Sequence, residues 1–151
     1  MKQVKKSVLL SYSAPEMYAL VVDIPSYPKF LPWCEKAEVL SADESGMTAR
    51  LHLAYGGMRH VFTTRNTHVK DSSVLVSLVD GPFSELEGAW RFVPLVLPGA
   101  NPEPACKIEF DMRYAFANRA LELVVSPVFD KVANTFVDAF VKRAAQVHGE
   151  R

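Results

Sequence analysis

The chain has 151 residues, 49% of them hydrophobic and 23% charged, which is the size and composition of one globular domain rather than of a disordered segment. Its 17 Lys and Arg are balanced by 17 Asp and Glu, and that argues against a broad nucleic-acid footprint, which normally shows as an excess of basic residues. No apolar run approaches the roughly 18 residues of a bilayer span and no secretory leader follows Met1, so a cytoplasmic protein is expected, in contact with an inner membrane at most peripherally.

A first strand is predicted over Lys2 to Tyr12, with Val4, Val8, Leu10 and Tyr12 on one phase. Ser13, Pro15 and Glu16 then read as a helix start. Serine caps the first turn, glutamate three residues on reaches back, and proline fits the first position. This helix is expected to end near Asp23. Pro25, Pro28 and Pro32 allow only short turns after it.

Strands follow in series. One is expected over Trp33 to Ser41, turning at Asp43-Glu44-Ser45-Gly46. The next places Ala49, Leu51, Leu53 and Tyr55 on one face, and Gly56-Gly57 is a two-residue hairpin signal. Strands over Met58 to Val69 and Ser73 to Val79 come next. After Gly81-Pro82, Leu86, Gly88, Trp90 and Phe92 share a phase. Pro98 to Pro104 reads as a loop. In the last strand Cys106, Ile108, Phe110, Met112, Tyr114 and Phe116 alternate with polar residues, the mark of one dry face and one wet face.

From about Asn118 to His148 the period becomes helical. Phe129, Val132, Phe136 and Phe140 fall on an apolar side, while Asp130, Lys131 and Asn134 take the other. Pro127 is expected to kink or divide this helix, and Gly149 to stop it. The fold class predicted is α+β: a curved antiparallel sheet of about seven strands wrapped around a long C-terminal helix, the one element able to cover its dry face. The whole of 1–151 is read as a single domain.

A curved sheet and one helix cannot meet evenly along their length. The gap is either filled by side chains or left open for a ligand, and composition does not choose between the two. The candidate lining residues are Leu51, Leu53, Tyr55, Phe62, Trp90, Phe92, Phe110, Met112 and Tyr114 from the sheet, with Phe129, Val132 and Phe136 from the helix. Thr64 and Asn66, on the phase of Phe62, would add sparse polar groups of the kind a ligand site carries. A lipid-like tail would suffice energetically, since roughly ten buried carbons contribute about 8 kcal/mol before association costs.

No Gly-rich phosphate loop or nucleophile elbow is present. The histidines and the two cysteines, Cys34 and Cys106, have no metal-ligand spacing. No metal, cofactor or catalytic residue is therefore expected, and the cysteines read as buried free thiols. Ser45 to Lys70 contains no Asp or Glu but holds Arg50, Arg59, Arg65 and Lys70 with three histidines. That hairpin reads either as an ordinary solvated face or as a contact for RNA or a lipid surface.

Two segments carry a resemblance. Tyr27-Pro28-Lys29-Phe30-Leu31-Pro32-Trp33-Cys34 is one, and Asp80-Gly81-Pro82-Phe83 with Leu86, Gly88, Trp90 and Phe92 is the other. With Phe62-Thr63-Thr64-Arg65-Asn66 and the closing Ala139-Phe140 and Arg143-Ala144, they resemble the coenzyme Q-binding branch of the START-like superfamily. Its bacterial members are named oligoketide cyclase/lipid transport proteins or ribosome association toxins. His148-Gly149 departs from a more usual Tyr-Gly.

The resemblance implies a helix-grip fold with a hydrophobic tunnel between sheet and terminal helix, holding ubiquinone or a similar polyprenyl lipid. It also implies a tunnel mouth near Pro25, Tyr27, Phe30, Leu31, Pro32 and Trp33. The toxin-named members imply a second partner, the large ribosomal subunit. The cyclase name implies an enzyme, a third possibility for which the residues supply no acid/base pair.

Overall fold

The computed structural model describes residues 1–96 and 104–151; the loop expected over Pro98 to Pro104 lies almost wholly outside them. The chain enters on strand β1 (Lys2–Leu10), one residue pair shorter than expected. Tyr12 leaves the ladder and donates its hydroxyl to the Gly149 carbonyl, 2.8 Å away, which ties the start of the chain to its end. Helix α1 (Ala14–Val22) opens on the expected capping box: the Glu16 amide donates to Ser13 Oγ at 3.2 Å, and the Ser13 amide to Glu16 Oε1 at 2.9 Å. The prolines then confine the chain to a short 3-10 segment, Ile24–Lys29.

Six strands follow: β2 (Cys34–Asp43), β3 (Gly46–Tyr55), β4 (Met58–Val69), β5 (Ser73–Asp80), β6 (Phe83–Pro94) and β7 (Cys106–Phe116). With β1 they form one seven-stranded sheet in the order β1-β7-β6-β5-β4-β3-β2, and each neighbouring pair is antiparallel. β1 and β2 are thus opposite edges, and α1 with the 3-10 segment carries the chain from one to the other. Glycine makes the Gly56-Gly57 hairpin possible, because both residues sit at positive φ, +58° and +83°.

Helix α2 (Arg119–His148) is unbroken. The expected division at Pro127 does not occur. Proline removes one donor and frees the Leu123 carbonyl, but Leu123 is 66% exposed, so water can satisfy that group. Asn118 caps the helix by accepting from the Leu121 amide at 2.9 Å, and Gly149 ends it at φ +83°.

The apolar side of α2 lies over the concave face of the sheet in two aromatic groups. Phe129 sits among Phe62, Phe83, Tyr114 and Phe116. Phe136 and Phe140 sit among Tyr27, Phe30, Trp33, Trp90 and Phe110. Among the described residues no helix is long and apolar enough to cross a membrane. Both cysteines are buried free thiols.

Candidate functional site: a cavity under the long helix

Between the two aromatic groups the packing is incomplete. A cavity of about 60 Å³ remains. Its walls come from every inner strand and from both helices. Of the expected lining residues, Leu51, Phe62, Thr64, Asn66, Trp90, Phe110, Met112, Phe129, Val132 and Phe136 border it, and Tyr27 and Trp33 close one side. An apolar cavity of about 150 Å³ accepts benzene. The space seen here is therefore smaller than one ring, and a ligand would have to displace side chains. Met112 and Phe136, both only half-buried, are placed to move.

Four expected lining residues lie elsewhere. Leu53 is packed in the core. Phe92 stacks on Trp90 and meets Tyr18 of α1 edge-on. The Tyr114 ring packs on Phe129, but its hydroxyl reaches Asp130 Oδ1 of α2 at 2.5 Å. Lys2 Nζ donates to the other oxygen of that carboxylate at 2.6 Å and to Ser126 Oγ at 2.5 Å. This cluster fastens α2 to both β7 and β1. Tyr55 is 44% exposed at the end of β3, where its hydroxyl accepts from Lys131 Nζ at 3.3 Å.

Tyr55 instead borders a second, outer recess of about 50 Å³ with Pro32, Trp33, Val128, Lys131, Val132 and Thr135. Trp33 and Val132 border both spaces. Of the residues expected at a mouth, Pro32 and Trp33 are at this recess, while Tyr27 lines the cavity alone. Tyr27 donates its hydroxyl to the Val21 carbonyl at 2.5 Å, locking the 3-10 segment under α1, and burial pushes its pKa well up. Phe30 packs on Phe140 with the Arg143 guanidinium over its ring. Leu31 is buried and Pro25 exposed, and neither borders either space.

The sequence reading missed Val21, Ile24, Ala49, Val74, Val76, Leu86 and Gly88 as cavity residues. Gly88 carried a visible signal. It stands on the inward phase between Leu86 and Trp90, and a glycine inside a strand often marks a close approach.

Polar groups on the cavity wall are few. Thr64 and Asn66 are 3% and 5% exposed, and Thr64 Oγ1 donates to Asn66 Oδ1 at 2.8 Å. His68, one step further along β4, is half-buried, and its Nε2 is sealed from water without a partner. Burial, reinforced by the field of Arg65, lowers the His68 pKa. Among the described residues no carboxylate, imidazole, thiol or amine lines the cavity. Among the described residues no three His, Cys, Asp or Glu gather as a metal site.

The basic stretch is matched by acids from β2. Arg59 pairs with Glu35 at 3.3 Å, and Arg65 with Asp43 at 3.0 Å. Arg50 is directly opposite Glu38 in the β2–β3 register, and His52 Nε2 lies 2.7 Å from the same carboxylate. The Ser45 and Arg65 contacts hold the Asp43 pKa down at about 2. Lys70 is exposed beyond this array.

Comparison with known proteins adds to this geometry. A family described as "Polyketide cyclase / dehydrase and lipid transport" matches residues 10–141. The chain is 40% identical over 151 residues to the ribosome association toxin RatA of Escherichia coli (strain K12), an alignment that covers 100% of this chain and 92% of that one. It is 28% identical to the coenzyme Q-binding protein COQ10 homolog B, mitochondrial, of Xenopus laevis, over 97% of this chain and 59% of that one. A START superfamily protein from Mycobacterium smegmatis has the same fold, with a TM-score of 0.76 at 21% identity, covering 96% of this chain and 98% of the other.

Proposed function

The chain belongs to the polyketide cyclase/dehydrase and lipid transport family, and from that premise we propose that it binds a hydrophobic ligand between sheet and terminal helix. The ligand we infer is ubiquinone or a related polyprenyl lipid, held by a carrier or chaperone that works in the cytoplasm and touches the membrane surface transiently. One observation carries the reading. The cavity wall is apolar, continuous over five strands and both helices, and interrupted by a buried Thr64–Asn66 pair. Such a wall suits a greasy body with a small polar feature. The 28% identity to a protein named for coenzyme Q binding supports the same ligand class.

Binding rather than turnover is proposed because, among the described residues, no titratable acid or base lines the cavity other than the Tyr27 phenol, already engaged with Val21. The test uses the protein's own probes. The chain has two tryptophans, and both Trp33 and Trp90 border the cavity. Titration with decylubiquinone should quench their emission saturably. Protein purified from a quinone-producing host should release quinone into organic solvent. Absence of both signals would remove the proposal.

A second reading has a specific warrant in the 40% identity to a ribosome association toxin along the full chain. Under it the protein docks on the large ribosomal subunit. The β2 acids opposite Arg50, Arg59 and Arg65 reduce the net basic field of that face. Co-sedimentation with ribosomal subunits at moderate salt tests this role, with Lys70→Glu as the first variant. The two roles are compatible.

A further inference from the structure

We propose that Asn66 is the donor that recognises a hydrogen-bond acceptor at the inner end of the ligand, so that the ligand lies with a carbonyl-type head at Asn66 and its tail toward Trp33. This inference rests on the reading of the cavity as a ligand site.

The argument starts from hydrogen-bond accounting. Asn66 is 95% buried by its 5% exposure, and it lines the cavity. Its Oδ1 already accepts from Thr64 Oγ1 at 2.8 Å. That leaves the two Nδ2 hydrogens, and among the described residues no acceptor meets them. Among the described residues the sealed, unpartnered polar atoms are His68 Nε2 and His148 Nε2; Asn66 Nδ2 is not one of them, so it keeps some accessible surface on a residue that lines the cavity. A donor taken out of water without an acceptor carries a desolvation cost. A wall meant only to pack could carry two apolar residues in place of the Thr64–Asn66 pair. A ligand that brings an acceptor recovers the cost, and one without an acceptor does not.

Other polar groups do not substitute for it. The Tyr27 hydroxyl is taken by Val21, and Thr64 is spent on orienting the amide. The backbone at Asn66 is also fixed. A Cβ on Gly46 would fall 1.9 Å from the Asn66 carbonyl oxygen, so glycine alone lets β3 close on β4 at this point.

Register gives the direction. Asn66 is paired with Met47 near the start of β3. Trp33 is level with Ala54 near its end, through the Ala54 amide donating to the Trp33 carbonyl at 2.8 Å. At about 3.3 Å per residue the backbones at Asn66 and Trp33 are on the order of 20 Å apart along β3, while their side chains border the same space. The donor is therefore remote from the outer recess. A head bound at Asn66 leaves a long tail running toward Trp33, Val132 and the surface.

The experiment compares decylubiquinone with dodecylbenzene, a chain-bearing ring without oxygen, on wild type and on Asn66→Leu. Asn66→Leu should weaken quinone binding at least tenfold and leave dodecylbenzene unchanged or tighter. Its urea midpoint should fall, since the buried Thr64 hydroxyl loses its acceptor, so affinities are compared where both proteins are folded. Infrared difference spectra of carbonyl-labelled quinone on wild type should show one carbonyl band shifted to lower wavenumber, and this arm needs no variant. Equal quinone affinity in Asn66→Leu, or an unshifted carbonyl on wild type, overturns the inference while the ligand reading stands. Wild type that binds neither probe overturns both.

Discussion

Trp33, from the turn before β2, and Val132, from the middle of α2, together form the wall between the inner cavity and the outer recess, for each borders both spaces. Both are more than nine-tenths buried. Among the described residues neither side chain has a hydrogen-bond partner, so displacing the pair costs mainly packing. If the ligand passes here, thinning the wall should speed passage in both directions. Val132→Ala leaves both tryptophans in place and should cost about 2 kcal/mol of stability. Stopped-flow fluorescence should show decylubiquinone entering and leaving several-fold faster with little change in Kd, and Val132→Trp should slow both steps. Rates unchanged in both variants would place the passage elsewhere.

Gly88 helps leave the cavity open. Its neighbours across the sheet, Val76 and Met112, both line the space. A Cβ at Gly88 would meet the Val76 Cβ at 3.6 Å, an ordinary contact, and its φ is not positive. The backbone therefore accepts a side chain, and the alternation with Leu86 and Trp90 aims it inward. Gly88→Val should lower quinone affinity at least tenfold. Its unfolding free energy should stay within about 1 kcal/mol of wild type, because strand propensity and cavity filling offset crowding. A variant that binds as tightly as wild type would mean that the ligand does not use this part of the space.

The architecture was largely legible in the sequence, and the wall of the cavity only partly so. Strict alternation from Cys106 to Phe116 and the Ser13–Glu16 cap are local patterns, and they specified β7 and the start of α1 directly. Alternation reports which face a side chain takes, not how far along the strand the cavity extends. Phe110 and Tyr114 share a phase, yet one lines the space and the other lies beyond it under Asp130. Gly88 stood visibly on the inward phase between Leu86 and Trp90, yet it was passed over because its contribution is a missing side chain. The Ser45–Lys70 stretch looked basic because Glu35, Glu38 and Asp43 belong to another strand, and only the β2–β3 pairing brings them alongside.

His68 gives the fold a pH dependence. Burial, with Arg65 on the same strand, lowers its pKa from the ordinary 6.5. Tyr18 of α1 stands edge-on at 6.2 Å, and Asp71 acts on that tyrosine. A base with a depressed folded pKa stays neutral in the native state while the unfolded chain takes up a proton. Its stabilising effect is thus full above about pH 6.5 and is lost as the pH falls toward the lowered native value. His68→Leu should flatten the urea-denaturation stability curve between about pH 7 and pH 5. Parallel curves for the two proteins would show that His68 does not titrate differently in the two states.

The clamp on α2 allows its components to be ranked. Burial pushes the Asp130 carboxyl up, but the Lys2 ammonium and the Tyr114 and Ser126 hydroxyls outweigh it and hold the pKa below the ordinary 3.8. The Lys2–Asp130 pair is 42% and 37% exposed, and an exposed pair of this kind contributes about 0–1 kcal/mol. The Tyr114 hydroxyl is different, because it belongs to a residue only 1% exposed and donates to a charged oxygen. Hydrogen bonds to charged groups contribute about 1.5–3 kcal/mol. Tyr114→Phe should therefore destabilise the protein by about 2 kcal/mol, and Lys2→Met by less than about 1 kcal/mol. The Asp130 contribution should be present above about pH 4 and fade below it, since its native pKa is the lower one. Urea denaturation of the two variants tests the ranking. A Lys2→Met cost larger than that of Tyr114→Phe would mean that the ion pair, not the buried hydroxyl, fastens the helix to the sheet.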